Sequence, residues 1–391
     1  MVKKVKAPSI FRDRRFECDS KDFFDSAHTL NRAFEVEWKN HIKKPNFVSR
    51  QSSALREILR NYYPALFSIF RYYAATGMDG DVFTMQKNEM LELLSNCDIP
   101  TERFGIEWNS TNYERIKDEE NSDTSLERFE FMEILCRISH DYFKDDNGGD
   151  DVKGITDLIE SHILPQAWRS VPHRRYFADP NAFRRERLYT EEVNEVFVRP
   201  READCARFTY VERLYDIYCD HAEMSQRRMN VVIRSTTIPH LQFQEFRLCL
   251  AEIDITQIYA RLAFCFAQMC VVNELRRTRR KDAIDRHDEA TFIEFLEALA
   301  RLADLERDPD VKDPTYVFSK VLEDFVAKLI ASAYKGRNKL GRVWRVDRKR
   351  YGKALNAVAQ SRHAPEQDHH DMPNSPTNVA FRRKLNAEGL Y

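Results

Sequence analysis

The sequence predicts an all-α protein, and three observations carry that reading. Only 10 of the 391 residues are glycine, against an ordinary share of about 7%. Sandwiches, barrels and phosphate-cradling nucleotide folds therefore lack the residue their turns need. Long stretches repeat apolar residues every three or four positions, the spacing of one helix face. Finally, a segment in one half of the chain recurs in the other half, and both copies carry helical spacing.

Residues 1–50 mix both charges with scattered aromatics (Phe23, Phe24, Phe34, Trp38, Phe47). They read as an N-terminal arm, irregular or made of short helices laid on a neighbouring surface. From Ala54 to Tyr73, the residues Leu55, Ile58, Leu59, Tyr62, Tyr63, Leu66, Ile69 and Phe70 mark an amphipathic helix. Further helices are expected near 86–97, 126–143, 153–163, 208–230, 241–253, 256–277, 289–305 and 315–334. They divide the chain into a helical pair over 51–145, a connecting segment over 146–207, a second pair over 208–334 and a basic tail over 335–391. Within the connection, DDNGGDD at 145–151 reads as a flexible acidic linker. The stretch 165–205, rich in Pro, Arg and Asp, reads as surface-running chain. The tail ends in polar, Pro-containing sequence and is expected to have no core of its own.

Composition narrows the function classes. Lys and Arg number 62 against 63 Asp and Glu, for a formal net charge of -1. That balance excludes polyanion binding by bulk charge and leaves only local basic patches. The longest apolar run, Leu262 to Val272, is shorter than the roughly 20 residues that span a bilayer. No apolar stretch follows the basic N-terminus, so neither a secretory signal nor a membrane partner is expected. The eight cysteines form no C-x-x-C pair and most sit in apolar helical patterns, as in a reduced intracellular protein without structural zinc. The sequence has no Walker loop, no G-x-G-x-x-G, no G-x-S-x-G and no H-E-x-x-H, so no catalytic activity is expected.

The repeat is the most informative feature. RFEFMEILCRISH at 128–140 aligns with FIEFLEALARLAD at 292–304. Glu130 and Phe131 match Glu294 and Phe295, Glu133 matches Glu297, Leu135 matches Leu299, and Arg137 matches Arg301. Before each copy, EMLELLSNCDI at 89–99 aligns with EFRLCLAEIDI at 245–255. A duplicated helical module follows.

That module resembles a paired EF-hand, in which a twelve-residue loop ends in a glutamate and an apolar residue opens the exit helix. LQFQEF at 241–246 has an apolar residue at position 8, Glu245 at 12 and Phe246 at 13. Apolar residues at position 8 ordinarily pair across two loops as a short antiparallel bridge. The phrases LREILRNYYPALFSIFRYYAATG, RFEFMEILCRIS, CVVNEL and DRHDEATFIEFLEALARLAD resemble a group of flagellar and ciliary EF-hand-like proteins of protists. The likeness covers roughly residues 50–143 and 208–305. It implies a non-catalytic structural component of the cilium or flagellum axoneme, docked on tubulin of the doublet microtubule or on another axonemal protein. A calcium-responsive regulator of an axonemal complex is the alternative.

Calcium needs six to eight oxygens at fixed loop positions. Loop one (78–89) places Met78, Gly80 and Val82 at positions 1, 3 and 5, and loop three (234–245) places Arg234, Thr236 and Ile238 there. Loop four (283–294) has Ala283 at 1 and His287 at 5. None of these is expected to bind. Loop two (119–130) is the weak calcium candidate, with Glu119, Asn121, Asp123, Glu127 and Glu130, although Thr124 replaces the turn glycine. Set beside it is the plainer reading of a fold held by packing alone. No other cofactor is expected.

Cations interleave with aromatics in the tail, at Arg342, Trp344, Arg345, Arg348, Lys349, Arg350 and Tyr351. Smaller clusters, HRR and RRER, flank the middle connection. Such segments can meet phosphates and stack on bases. Without a nucleic-acid-binding fold, an acidic protein surface is the expected partner, and a nucleic-acid-associated adaptor ranks third.

Overall fold

Helices dominate the computed structural model, which describes residues 9–11, 27–41, 53–77, 82–100, 125–143, 148–169, 171–203, 206–228, 241–268, 289–307 and 316–339. The all-α class is as the sequence predicts. Contacts divide the chain into two units. The described residues of the first lie in Phe24–Pro180. Those of the second lie in Met1–Phe23, Asn181–Met269 and Asp285–Pro373.

The first unit opens with α1 (Ala27–His41), which packs on α2 (Ser53–Thr76) and on α4 (Arg128–Phe143). Phe34 and Trp38 anchor it, with Phe34 meeting the Tyr63 ring edge-on at 5.5 Å. Between α2 and α4 runs α3 (Lys87–Asn96), and Phe70 meets Phe131 at 5.4 Å in the core. Burying each such ring contributes on the order of 1.5–3 kcal/mol. After α4 the chain turns through Gly148 (φ 60°) and Gly149 (φ 83°), angles that glycine reaches without a Cβ clash. Asp150 then caps α5 (Asp151–Asp157), accepting from the Val152 and Lys153 amides at 3.0 and 3.2 Å. Residues 148–150 are thus a defined turn and cap, not the flexible linker expected. Helix α5 widens into a π turn, Leu158–Ile163, and ends in the turn Leu164–Gln166. Pro165 has no amide to bond back one α-turn, which accounts for a wider turn before it.

The stretch 165–205 corrects the expectation of surface-running chain. In the first unit Trp168 and Phe177 are buried and close on the Tyr72 ring at 5.4 and 5.3 Å. Here lies the short α6 (Arg174–Ala178). Next, α7 (Pro180–Phe183) runs into a π turn, Arg184–Leu188, followed by α8 (Glu191–Val198). Phe183, Leu188, Val193 and Phe197 are buried in the second unit. Charged residues separate Phe183 from Leu188, and the helical spacing of Val193, Val196 and Phe197 lasts only the eight residues of α8, too short a run to stand out in sequence. Residues 9–11 also join this unit: Asn194 Oδ1 accepts from the Ile10 amide at 2.9 Å, and Phe11 meets Phe197 at 5.5 Å.

A hairpin absent from the expected elements follows, β1 (Arg201–Ala203) paired antiparallel with β2 (Ala206–Phe208), Arg201 opposite Phe208. Cations brace it, with the Arg201 guanidinium 3.9 Å from the Tyr210 ring centre and that of Arg213 3.4 Å from Phe208. The second helical module then runs α9 (Tyr210–Arg228), β3 (Leu241–Gln242), α10 (Phe243–Leu250), α11 (Gln257–Ala267), β4 (Glu289–Ala290), α12 (Phe292–Leu305) and α13 (Phe318–Lys339). Helix α12 is buried along its whole length, packed by α9, α11 and α13. Phe295 is fully buried among Tyr218 at 5.5 Å, Phe246 at 6.1 Å and Phe292 at 6.2 Å. Among the described residues, no helix is long and apolar enough to cross a membrane, and the cysteines are buried and form no disulfide.

Candidate functional site

Each unit contains one short antiparallel contact between its two loops. In the first, Met85 and Leu126 exchange backbone hydrogen bonds at 3.0 and 2.7 Å. In the second, Leu241 pairs with Ala290 and Gln242 with Glu289. Met85, Leu126, Leu241 and Ala290 all occupy position 8 of their twelve-residue loops, the position at which the sequence reading expects a bridge. The register therefore recurs in both modules.

At position 12 three of the four loops agree. Whereas Glu89 of loop one has a buried Oε2 without a hydrogen-bond partner among the described residues, Glu130, Glu245 and Glu294 are buried and lie three residues after the residue that opens each helix. Each carboxylate accepts the amide of that opening residue: Glu127 at 2.9 Å, Gln242 at 2.8 Å and Thr291 at 2.9 Å. Thr291 Oγ1 returns the contact by accepting from the Glu294 amide at 3.3 Å, closing a capping box. A negative group here also faces the positive end of its helix. Glu130 thus has its carboxylate engaged by the backbone of its own loop.

Of the five candidate calcium ligands, only Glu127 and Glu130 fall within the described residues; Glu119, Asn121 and Asp123 lie outside them. Among the described residues, no three acidic, His or Cys side chains gather into a metal-sized group. The tail residues Arg342, Trp344, Arg345, Arg348, Lys349, Arg350 and Tyr351 also lie outside the described residues.

One constellation in this region went unassigned in the sequence reading, although its residues stand in the repeat. Glu133 and Arg137 form an ion pair at 2.9 Å along α4, and Glu297 and Arg301 form one at 2.8 Å along α12. These are equivalent positions in the two copies. In the second unit Arg184, from the π turn, adds its Nε at 3.0 Å to both oxygens of Glu297. Arg184 also donates to Asn181 Oδ1 at 3.0 Å, and the Arg301 guanidinium stacks over Phe183 at 4.4 Å. A Glu four residues before an Arg, inside an otherwise apolar helix, was the legible signal; the third arm came from a segment with no periodicity.

Burial perturbs several groups. Glu37 carries a raised pKa because desolvation outweighs the attraction of Arg128, 2.6 Å away, and the hydrogen bond from Tyr63 at 2.9 Å. Burial pushes the Cys97 thiol up to about 12 and that of Cys136 well above the ordinary range. Thiols held protonated in this way are poor nucleophiles and poor metal ligands. Neither family models nor curated proteins nor solved structures give a match to this chain.

Proposed function

We propose that the chain is a non-catalytic structural component of the ciliary or flagellar axoneme. Its two halves are EF-hand-like pairs used as packing modules, and its basic tail docks on tubulin or another acidic axonemal surface. One observation carries the reading, and it occurs twice. Position-8 residues bridge the two loops of each unit, while three of the four position-12 glutamates, Glu130, Glu245 and Glu294, cap helices. That arrangement, on a chain whose phrases resemble axonemal EF-hand-like proteins, suits modules that hold shape without an ion. A calcium-responsive regulator is the second reading, favoured by the oxygen donors retained in loop two. It requires Glu130 to release the Glu127 amide when the ion enters. The test is to tag the protein in a flagellated cell and extract with detergent. Retention with the axoneme is expected, and release into the soluble fraction would sink the structural reading.

A further inference from the structure

A cleft of about 370 Å³ opens on the first unit, lined by Arg169, Val171, His173, Arg174, Arg175 and Tyr176. Four of these six side chains are basic and none is acidic. Arg169 lies 4.0 Å from Asp98 Oδ2, and both partners are largely exposed, so water screens the pair; Arg175 has a partner of its own. Arg169 also reaches Gln166 Oε1 at 3.4 Å. Arg174 has no hydrogen-bond or ion-pair partner among the described residues. The Nε2 of His173 is buried and has no hydrogen-bond partner among the described residues.

The backbone holds these groups in place at a cost. His173 sits at φ 56°, a left-handed conformation sparsely populated by residues with a Cβ. Beneath the segment, Trp168 and Phe177 are buried against Tyr72, which fixes the chain on both sides of the cleft. Like charges gathered along one cleft repel one another unless an anion lies between them.

We propose that this cleft binds a phosphate-type dianion. Guanidinium forks match the oxygens of phosphate in geometry, and their charge-assisted hydrogen bonds are about twice as strong as neutral ones. Three guanidinium groups and an imidazole balance a doubly charged tetrahedral group better than a single carboxylate. The bound anion, or a water carried with it, gives the His173 nitrogen a partner. The source is either free phosphate or a phosphorylated side chain. This inference concerns the first unit and stands independently of where the tail docks.

The full chain is titrated calorimetrically at constant ionic strength with inorganic phosphate, with phosphoserine and with acetate, using chloride as the control. In parallel, the His173 ring signal is followed by NMR in histidine-labelled protein, assigned with His173→Gln. One saturable phosphate site per chain is expected, with the His173 signal following the same isotherm. Arg169→Ala combined with Arg174→Ala should lower affinity about tenfold or more. Tighter phosphoserine than phosphate identifies a phosphorylated side chain as the source, and the reverse identifies free phosphate. Non-saturating heat, an unmoved His173 signal, acetate binding as tightly as phosphate, or wild-type affinity in the folded double variant would each overturn the proposal. Should the double variant fail to fold, the wild-type NMR titration decides alone.

Discussion

Glu297 offers the sharpest test of what holds the second unit. Its carboxylate is shared by Arg184 and Arg301, and the three side chains are 2%, 1% and 4% exposed. Replacing Glu297 with Ala strands two guanidinium groups away from water. Removing one partner of a buried ion pair costs about 3–5 kcal/mol. Arg184 keeps Asn181 and the Ala267 carbonyl as acceptors, so the loss should fall within that range, not above it. At 2–4 °C per kcal/mol for a unit of 150–250 residues, the second unit should melt roughly 6–20 °C lower. Calorimetry on the full chain measures this, with hydrogen exchange of α12 amides assigning the transition. Glu133→Ala, at the equivalent place in the first unit, should cost less, because Arg137 is 12% exposed and water can reach it. Replacing Arg184, Glu297 and Arg301 together by Met, Leu and Met should be close to neutral, since no charge is then left buried. A Glu297→Ala shift below about 2 °C, or a triple variant as unstable as the single one, would refute the reasoning.

Three further outcomes follow from the same geometry. Phe295→Ala, which empties a fully buried site, should cost roughly 3–5 kcal/mol, whereas Glu130→Gln keeps an acceptor for the Glu127 amide and should cost under about 1 kcal/mol; denaturant melts that rank them the other way contradict packing as the main support. Glu37 should titrate above the ordinary carboxylate range in a carbon-detected NMR titration, because burial raises its pKa. The native state then keeps a proton that the unfolded chain has released, so this carboxyl lowers stability as pH rises through its raised midpoint and has no such effect below the ordinary value; a midpoint at or under that value refutes it. Calcium added to the full chain should leave the melting profile unchanged and bind loop two no tighter than the order of 10⁻⁴–10⁻³ M. A micromolar isotherm abolished by Glu130→Gln would promote the regulator reading.

Much of the fold was legible because its helices carry apolar faces. The patterns at 54–73, 86–97, 128–140 and 292–304 lie on α2, α3, α4 and α12. The bridges at Met85–Leu126 and Leu241–Ala290 follow from counting back from the loop-end glutamates. What the sequence hid lies between the repeats. Phe177, Phe183, Leu188 and Phe197 are buried on short helices and a π turn; charged residues separate these elements, and the helical spacing of Val193, Val196 and Phe197 lasts only the eight residues of α8. The hairpin at Arg201–Phe208 was hidden for a different reason. Its strands are three residues long and are braced by Arg–aromatic stacking, not by alternation. The helical Phe34 and Trp38 stood among scattered aromatics, and only their packing on α2 and α4 gives them a face.

The most direct test of the structural reading is reconstitution. Purified full chain is added to detergent-extracted axonemes from cells that lack the protein, and the bound fraction is measured by co-sedimentation. Saturable binding that persists in calcium or chelator is expected, and it should weaken when Arg342, Arg345, Arg348, Lys349 and Arg350 are changed to Glu, because an acidic partner responds to their field. Protein that stays in the supernatant at concentrations well above those of the axonemal sites would contradict the account.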